Sequence, residues 1–90
     1  MTKITYTEGG VIFSGHADNP IVCHAISAIS QMVANYVADN NWGSVLLADG
    51  YLEIRDVNEK YCGNDLFKAM SKALEDIEEE YPGNVKIEYR

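Results

Sequence analysis

Two short stretches near the ends of the chain alternate apolar and polar residues, which is the period of a half-buried β-strand. They are "TKITYT", where Ile4 and Tyr6 alternate with polar residues, and "NVKIEYR". "VIFSG" follows the first stretch across the turn "EGG" and is predicted to return as the second strand of a hairpin. "SVLLAD" and "YLEIRDV" flank Asp49-Gly50, a strong turn signal, and predict a second hairpin.

Between these strands the apolar period becomes that of an amphipathic helix. From Ile21 onward one stripe is predicted to be buried: Val22, Ile26, Ile29, Val33, Tyr36 and Val37. Asp18 or Asn19 can cap this helix, and Pro20 suits its first turn. A second helix, capped by Asn64 or Asp65 and stopped by Pro82-Gly83, has its own apolar stripe. That stripe comprises Leu66, Met70, Leu74, Ile77 and Tyr81.

The element order is therefore ββαββαβ, with about five strands and two helices. This order predicts an α/β (α+β) two-layer sandwich, with a mixed sheet and both helices on one sheet face. A chain of 90 residues is long enough for one domain, residues 1–90, with a modest core.

The charge balance excludes some classes of partner. Fourteen acidic and seven basic residues give a net charge of −7, which disfavours nucleic acids and anionic membranes and permits a basic partner. No apolar run approaches the ~20 residues of a membrane span, and "MTKITYTEGG" lacks the apolar core of a signal peptide. We therefore expect a cytoplasmic protein in which Cys23 and Cys62 are free thiols.

The stretch "SGHADNPIVCHAIS" carries the candidate chemistry. Cys23 falls in the first turn of the first helix, where the helix dipole favours the nucleophilic thiolate. His16, on the preceding loop, can fold back as a base toward Cys23 and as an acid toward a leaving group. Helix N–H groups could hold an oxyanion, and Ser27, one turn after Cys23, could donate a hydrogen bond to the thiolate or to a substrate.

Simpler interpretations of the same residues stay open. A cysteine at a helix start is often plain core, and a histidine in a turn is often merely solvated. His24 lies about 100° around the helix from Cys23, so it either faces solvent or lines the site. His16, both cysteines and His24 offer the right atoms for zinc, but no CxxC or HxxxH spacing supports a metal site, and no Gly-rich phosphate loop is present. We expect neither metal nor cofactor.

"SGHA" at a strand end and "IVCHAISAIS" at a helix start resemble the signature of the ribosomal-processing cysteine protease family, the Prp family. The resemblance extends to "DGYLEIRD" and to "LEDIEEEYPGNVKIEYR", and so covers nearly the whole chain. In this family the signature is Gly-His-Ala followed by a helix that opens with Val-Cys and has a serine one turn later.

The resemblance implies a cytoplasmic cysteine endopeptidase that works as a homodimer. Family members remove a short N-terminal extension from a protein of the large ribosomal subunit, and phage-borne relatives process phage structural proteins. Cys23 matches the family nucleophile and His16 its partner. Gly15 and Ala17 match the residues that flank the histidine, and Ser27 matches the serine after the nucleophile.

The sequence departs from the family pattern at three places. Only six residues, Ala17 to Val22, separate the candidate histidine from the cysteine, where the family has a longer mobile segment. Pro20 replaces a common acid, whose role Asp18 could take over, and His24 replaces a small residue. The short loop predicts a more open site, a different substrate or lost activity. The rival hypothesis is therefore a non-catalytic domain that binds a peptide or regulates a partner.

Overall fold

The computed structural model describes residues 1–90 and contains five strands and two helices in the order ββαββαβ, as predicted. A single turn of 3-10 helix, Glu59–Tyr61, precedes the second helix. The strands are β1 (Thr2–Thr7), β2 (Gly10–Ser14), β3 (Ser44–Ala48), β4 (Tyr51–Arg55) and β5 (Val85–Tyr89), and the helices are α1 (Pro20–Asp39) and α2 (Asp65–Glu80).

The strands form one mixed sheet in the order β3-β4-β2-β1-β5. β1 pairs with β2 antiparallel and with β5 parallel, while β4 lies between β2 and β3 and is antiparallel to both. Ser14 pairs with Tyr51, so the end of β2 lies beside the start of β4. This register brings the loop after β2 next to the Asp49-Gly50 turn.

One face of the sheet forms the core together with the two helices. Ile4, Phe13 and Leu52 are neighbours across three strands and are all buried. They belong to a single cluster that also contains Val33 of α1 and Leu74 of α2. The core therefore fills the space between one sheet face and a helical layer, which is the predicted sandwich.

The predicted buried stripe of α1 is wrong at Tyr36, which is 46% exposed and meets Trp42 edge to face, with ring centroids 5.1 Å apart. The buried side of α1 instead includes the small residues Ser30 and Ala34. Ser30 is satisfied there because its hydroxyl donates to the carbonyl of Ser27, one turn earlier.

Asparagine side chains start both helices. The Oδ1 of Asn19 accepts the N–H of Ile21 at 2.9 Å, and the Oδ1 of Asn64 accepts the N–H of Leu66 at 2.9 Å. Each bond satisfies an N–H group that has no partner within the helix. Of the paired alternatives, Asn19 and Asn64 are thus the caps, while Asp65 is the first residue of α2.

By length and composition alone, α1 is long and apolar enough to cross a membrane, which corrects the expectation that no apolar run approaches that length. One such helix is weak evidence for a span, because a helix buried in a globular core passes the same test. Here Val22, Val33 and Val37 of α1 are fully buried against the rest of the chain.

Candidate active site

Main-chain and side-chain hydrogen bonds hold the loop between β2 and α1. The N–H of Gly15 donates to the carbonyl of Gly50 at 2.9 Å, and Ala17 is packed into the core. The N–H of Asn19 donates to Oδ1 of Asn84 at 3.0 Å, which links the start of α1 to the turn before β5. The loop is therefore fixed at both of its ends.

The imidazole of His16 lies against the turn of the second hairpin. A Cβ added to Gly50 would be only 2.9 Å from His16 Nε2, so the ring occupies the space that any other residue would need. Gly50 also has a φ of +66°, a conformation that side chains disfavour. The sequence predicted the Asp49-Gly50 turn only as part of a hairpin. In the structure this turn also contacts the imidazole of His16 and limits where the ring can lie.

His16 and Cys23 line the same cleft, which has a volume of about 140 Å³. Cys23 is half-buried, so its thiol is neither sealed in the core nor free in solvent. Ser27, one helical turn later, and Gly15 border the same space. The structure therefore brings together four of the residues selected from the sequence.

Two N–H groups at the start of α1 are engaged within the chain. The N–H of Ile21 donates to the cap side chain of Asn19, and the N–H of Cys23 donates to the Asn19 carbonyl at 3.1 Å. Pro20 has no N–H. The first turn therefore offers a bound substrate fewer free donors than the sequence suggests.

Three residues selected from the sequence do not border the cleft. Asp18 and His24 are exposed, and Ala17 is buried in the core, where it anchors the loop after His16. Cys62 borders a different cavity, beside α2 and the β1–β2 turn. No three His, Cys, Asp or Glu side chains are close enough to hold a metal ion, so the structure does not assemble the zinc alternative.

The second hairpin supplies cleft residues that the sequence did not single out. Leu47, Ala48, Gly50 and Tyr51 all border the cleft. The phenol of Tyr51 donates to Glu53 at 2.7 Å, and this hydrogen bond raises its pKa. The turn itself could be predicted, but its place beside the histidine follows from the strand order, which the sequence pattern does not specify.

Gln31 also borders the cleft, two turns of α1 after Cys23. The residues 23, 27 and 31 are spaced by four, so they follow one face of the helix. This spacing was visible in the sequence and could have indicated Gln31.

Comparison with known families decides the class of the protein. A family model described as cysteine protease Prp matches residues 1–86. The chain belongs to the Prp family of cysteine proteases. It is therefore a cysteine peptidase, and the resemblance seen in "SGHA" and "IVCHAISAIS" is confirmed.

Solved structures share the fold of this Prp family member. Two are of an essential ribosomal processing protease Prp from S. aureus, one with a covalently linked product peptide and one with a substrate peptide. Each is 26% identical to this chain, with a TM-score of 0.79, and covers 99% of this chain and 97% of its own. SMU.848 from Streptococcus mutans has a TM-score of 0.71 at 23% identity over 98% of this chain and 90% of its own. No curated protein matches the chain.

Proposed function

We propose that residues 1–90 form one cytoplasmic endopeptidase domain that uses Cys23 as nucleophile and His16 as its proton partner. Its substrate is a protein of the large ribosomal subunit, or a phage structural protein, from which it removes a short N-terminal extension. The observation that carries this proposal is that His16 and Cys23 share one cleft in a chain of the Prp family. The peptide complexes of the S. aureus relative support a protein substrate.

In this proposal the Cys23 sulfur attacks the carbonyl carbon of the scissile peptide bond. His16 takes the thiol proton and delivers it to the leaving amine, so the C–N bond breaks and a thioester forms. Water then attacks the thioester with His16 as base, which releases the acid product and restores the thiol. Ser27, on the same cleft, donates a hydrogen bond to the thiolate or to the substrate.

The short loop supports a site that is assembled before the substrate arrives. The loop is tied to the second hairpin through Gly15 and to the turn before β5 through Asn19. A group held in place in the free enzyme loses less conformational entropy when it reacts. We therefore propose that the loop, which is shorter than in the family pattern, keeps the site ordered without substrate and leaves the peptidase active.

We further propose that the protein is a homodimer that pairs through the outer surface of α1. This surface carries Ile21, which is 70% exposed, and Met32, which is 59% exposed, together with Tyr36. No charged residue occurs in α1 before Asp39. An exposed apolar stripe of this kind is typical of a surface that another protein covers. The two free cysteines fit a reducing cytoplasm.

The test of the proposed chemistry is cleavage of the substrate peptide seen in the S. aureus Prp complex, followed by mass spectrometry. Cys23→Ala should abolish cleavage, and His16→Ala should lower kcat/KM by at least about 10³-fold, because each removes a reacting group. Cys62→Ala is the matched control, since Cys62 borders another cavity, and it should cleave like the unmodified protein.

Circular dichroism should show the same fold for all three variants. Cleavage retained by Cys23→Ala would refute the proposal. Peptide binding without any cleavage by the unmodified protein would favour the non-catalytic binding domain.

A further inference from the structure

The two edges of the sheet are finished differently. At the β5 edge, the N–H of Ile87 donates to Oε2 of Glu78 on α2 at 2.8 Å. Lys86 and Glu88 add charges along the same strand. Charged side chains and covered N–H groups are the usual means by which proteins prevent another strand from pairing at an edge. The β5 edge is therefore protected.

The β3 edge has no such protection. β3 pairs only with β4, and none of the chain's other hydrogen bonds involves a residue of Ser44–Ala48. Its sequence, SVLLA, contains no charge and no proline. An uncharged, unpaired edge is a template for an added strand.

The register identifies the free main-chain groups of β3. The N–H of Gly15, just after β2, donates to the carbonyl of Gly50, just before β4. Hydrogen-bonded pairs alternate with non-bonded pairs along two antiparallel strands, so the even-numbered residues of β4 bond to β2. Odd-numbered residues of β4 therefore bond toward β3, which pairs Glu53 with Leu46. Val45 and Leu47, between the bonded pairs, direct their N–H and carbonyl groups outward.

This free edge leads into the active-site cleft. Leu47 and Ala48, at the carboxyl end of β3, border the cleft that holds Cys23 and His16. Leu47 is on the cleft side and is 68% exposed. A strand advances about 3.3 Å per residue, so a strand paired with Val45 and Leu47 reaches the cleft within two or three residues.

We propose that the open edge of β3 binds the extended main chain of the substrate as an added strand and so delivers the scissile bond to Cys23. This inference rests on the proposed peptidase function and names how its substrate is held. The partner is an uncovered, extended peptide segment, because a helix cannot pair with a strand edge. Asp18 and Asp49, both exposed near the cleft, and the net charge of −7 favour basic residues in that segment.

The test separates the main chain of Leu47 from its side chain. Leu47→Pro removes the outward N–H without removing a bond to β4, and Leu47→Ala removes the side chain while keeping the N–H. Each is made on the Cys23→Ala background, and the S. aureus Prp substrate peptide, labelled with a fluorophore, is titrated by anisotropy. We expect Leu47→Pro to weaken binding about 5- to 10-fold more than Leu47→Ala, the effect of one lost hydrogen bond.

Amide hydrogen exchange provides a second measurement that does not depend on a variant. In the Cys23→Ala protein, the amides of Val45 and Leu47 should exchange fast when free and slowly with the peptide bound. The amide of Ile87 should not change, because Glu78 already occupies it.

The outcomes distinguish this inference from the proposed function. One outcome would overturn the proposed role of the β3 edge and leave the proposed peptidase function intact. It is cleavage by the unmodified protein, combined with equal peptide binding by the Pro and Ala variants and no protection of the Val45 and Leu47 amides. Absence of peptide binding would also overturn it. Protection that appears without peptide and grows with protein concentration would mean that a second copy occupies the edge, which also contradicts the inference. Protection and a Pro-specific loss of binding, together with cleavage by the unmodified protein, would support it. The same protection without any cleavage would show that the edge holds a peptide in a non-catalytic domain, which contradicts delivery of a scissile bond to Cys23.

Discussion

At the scale of single residues, the position of His16 depends on a residue with no side chain. Gly50 leaves the space in which the imidazole lies, and its carbonyl holds the N–H of Gly15 just before the histidine. His16 is therefore placed by the second hairpin as much as by its own loop.

Gly50→Ala tests this placement. The added methyl group would come within 2.9 Å of His16 Nε2, so we expect the ring to move and cleavage of the peptide substrate to fall at least about 10-fold. Because alanine is strained at this positive φ, we expect the free energy of unfolding to fall by about 1–2 kcal/mol.

Gly83→Ala is the matched control, because a Cβ at Gly83 meets no atom within 4 Å and its φ is not positive. It should keep both cleavage and stability. The readouts are kcat/KM, urea unfolding and the rate of Cys23 alkylation by iodoacetamide at neutral pH. Full activity in Gly50→Ala would show that the turn does not place the histidine.

At the scale of elements, the start of α1 is tied to the turn before β5. Asn84 accepts the N–H of Asn19 through its side chain and the N–H of Thr2 through its carbonyl. Asn19 in turn caps the helix that carries Cys23. A residue near the end of the chain therefore supports the loop near its beginning.

Asn84→Ala should destabilise this junction. It leaves the half-buried N–H of Asn19 without its partner, at a cost of about 0.5–1.5 kcal/mol. Because the loop end loosens, we expect kcat to fall several-fold. Asn84→Asp keeps an acceptor oxygen and should recover most of both effects.

Asn40→Ala serves as the control, since Asn40 makes a similar 2.9 Å bond to the Tyr36 carbonyl at the other end of α1. Urea unfolding and kcat are the measurements. Equal losses of kcat in Asn84→Ala and Asn40→Ala would mean that only general stability is affected.

The same elements show how far the sequence pattern reaches. Alternation and turn residues predicted both hairpins and both helices, because these signals are local. The neighbour of each strand is a non-local property, so the contact of the Asp49-Gly50 turn with His16 was not predictable from the pattern. Tyr36 was misplaced for a related reason. The helical period also admits a neighbouring stripe, and tertiary packing buries the small residues Ser30 and Ala34 in place of Tyr36.

At the site the division is similar. Cys23, His16 and Ser27 were identified because they lie in one continuous stretch that carries a family signature. The cleft residues Leu47 and Tyr51 come from a distant part of the chain. Tyr51 lies in the matching stretch "DGYLEIRD", but that stretch was recognised only as a hairpin. They became visible only when the sheet order was known.

At the scale of the whole molecule, α1 carries apolar residues both on the side that faces the core and on the side that faces away from it. Its inner side fills the core, and its outer side exposes Ile21, Met32 and Tyr36. A helix that packs on one side only usually carries charges on the other, and α1 carries none before Asp39. Although the chain has a net charge of −7, the outer side of α1 is uncharged and is therefore available for association.

The proposed homodimer can be tested by weakening this outer surface. Met32→Glu places a charge in the middle of the stripe, so burial between two copies would become costly and the dimer should dissociate at least 100-fold more readily. Leu46→Glu is the control, because Leu46 is also exposed but lies on the opposite face of the sheet. Sedimentation equilibrium of the unmodified protein should give twice the monomer mass, Leu46→Glu should match it, and Met32→Glu should approach the monomer. An unmodified protein that remains monomeric at high concentration would refute the dimer, and equal dissociation of both variants would place the interface elsewhere.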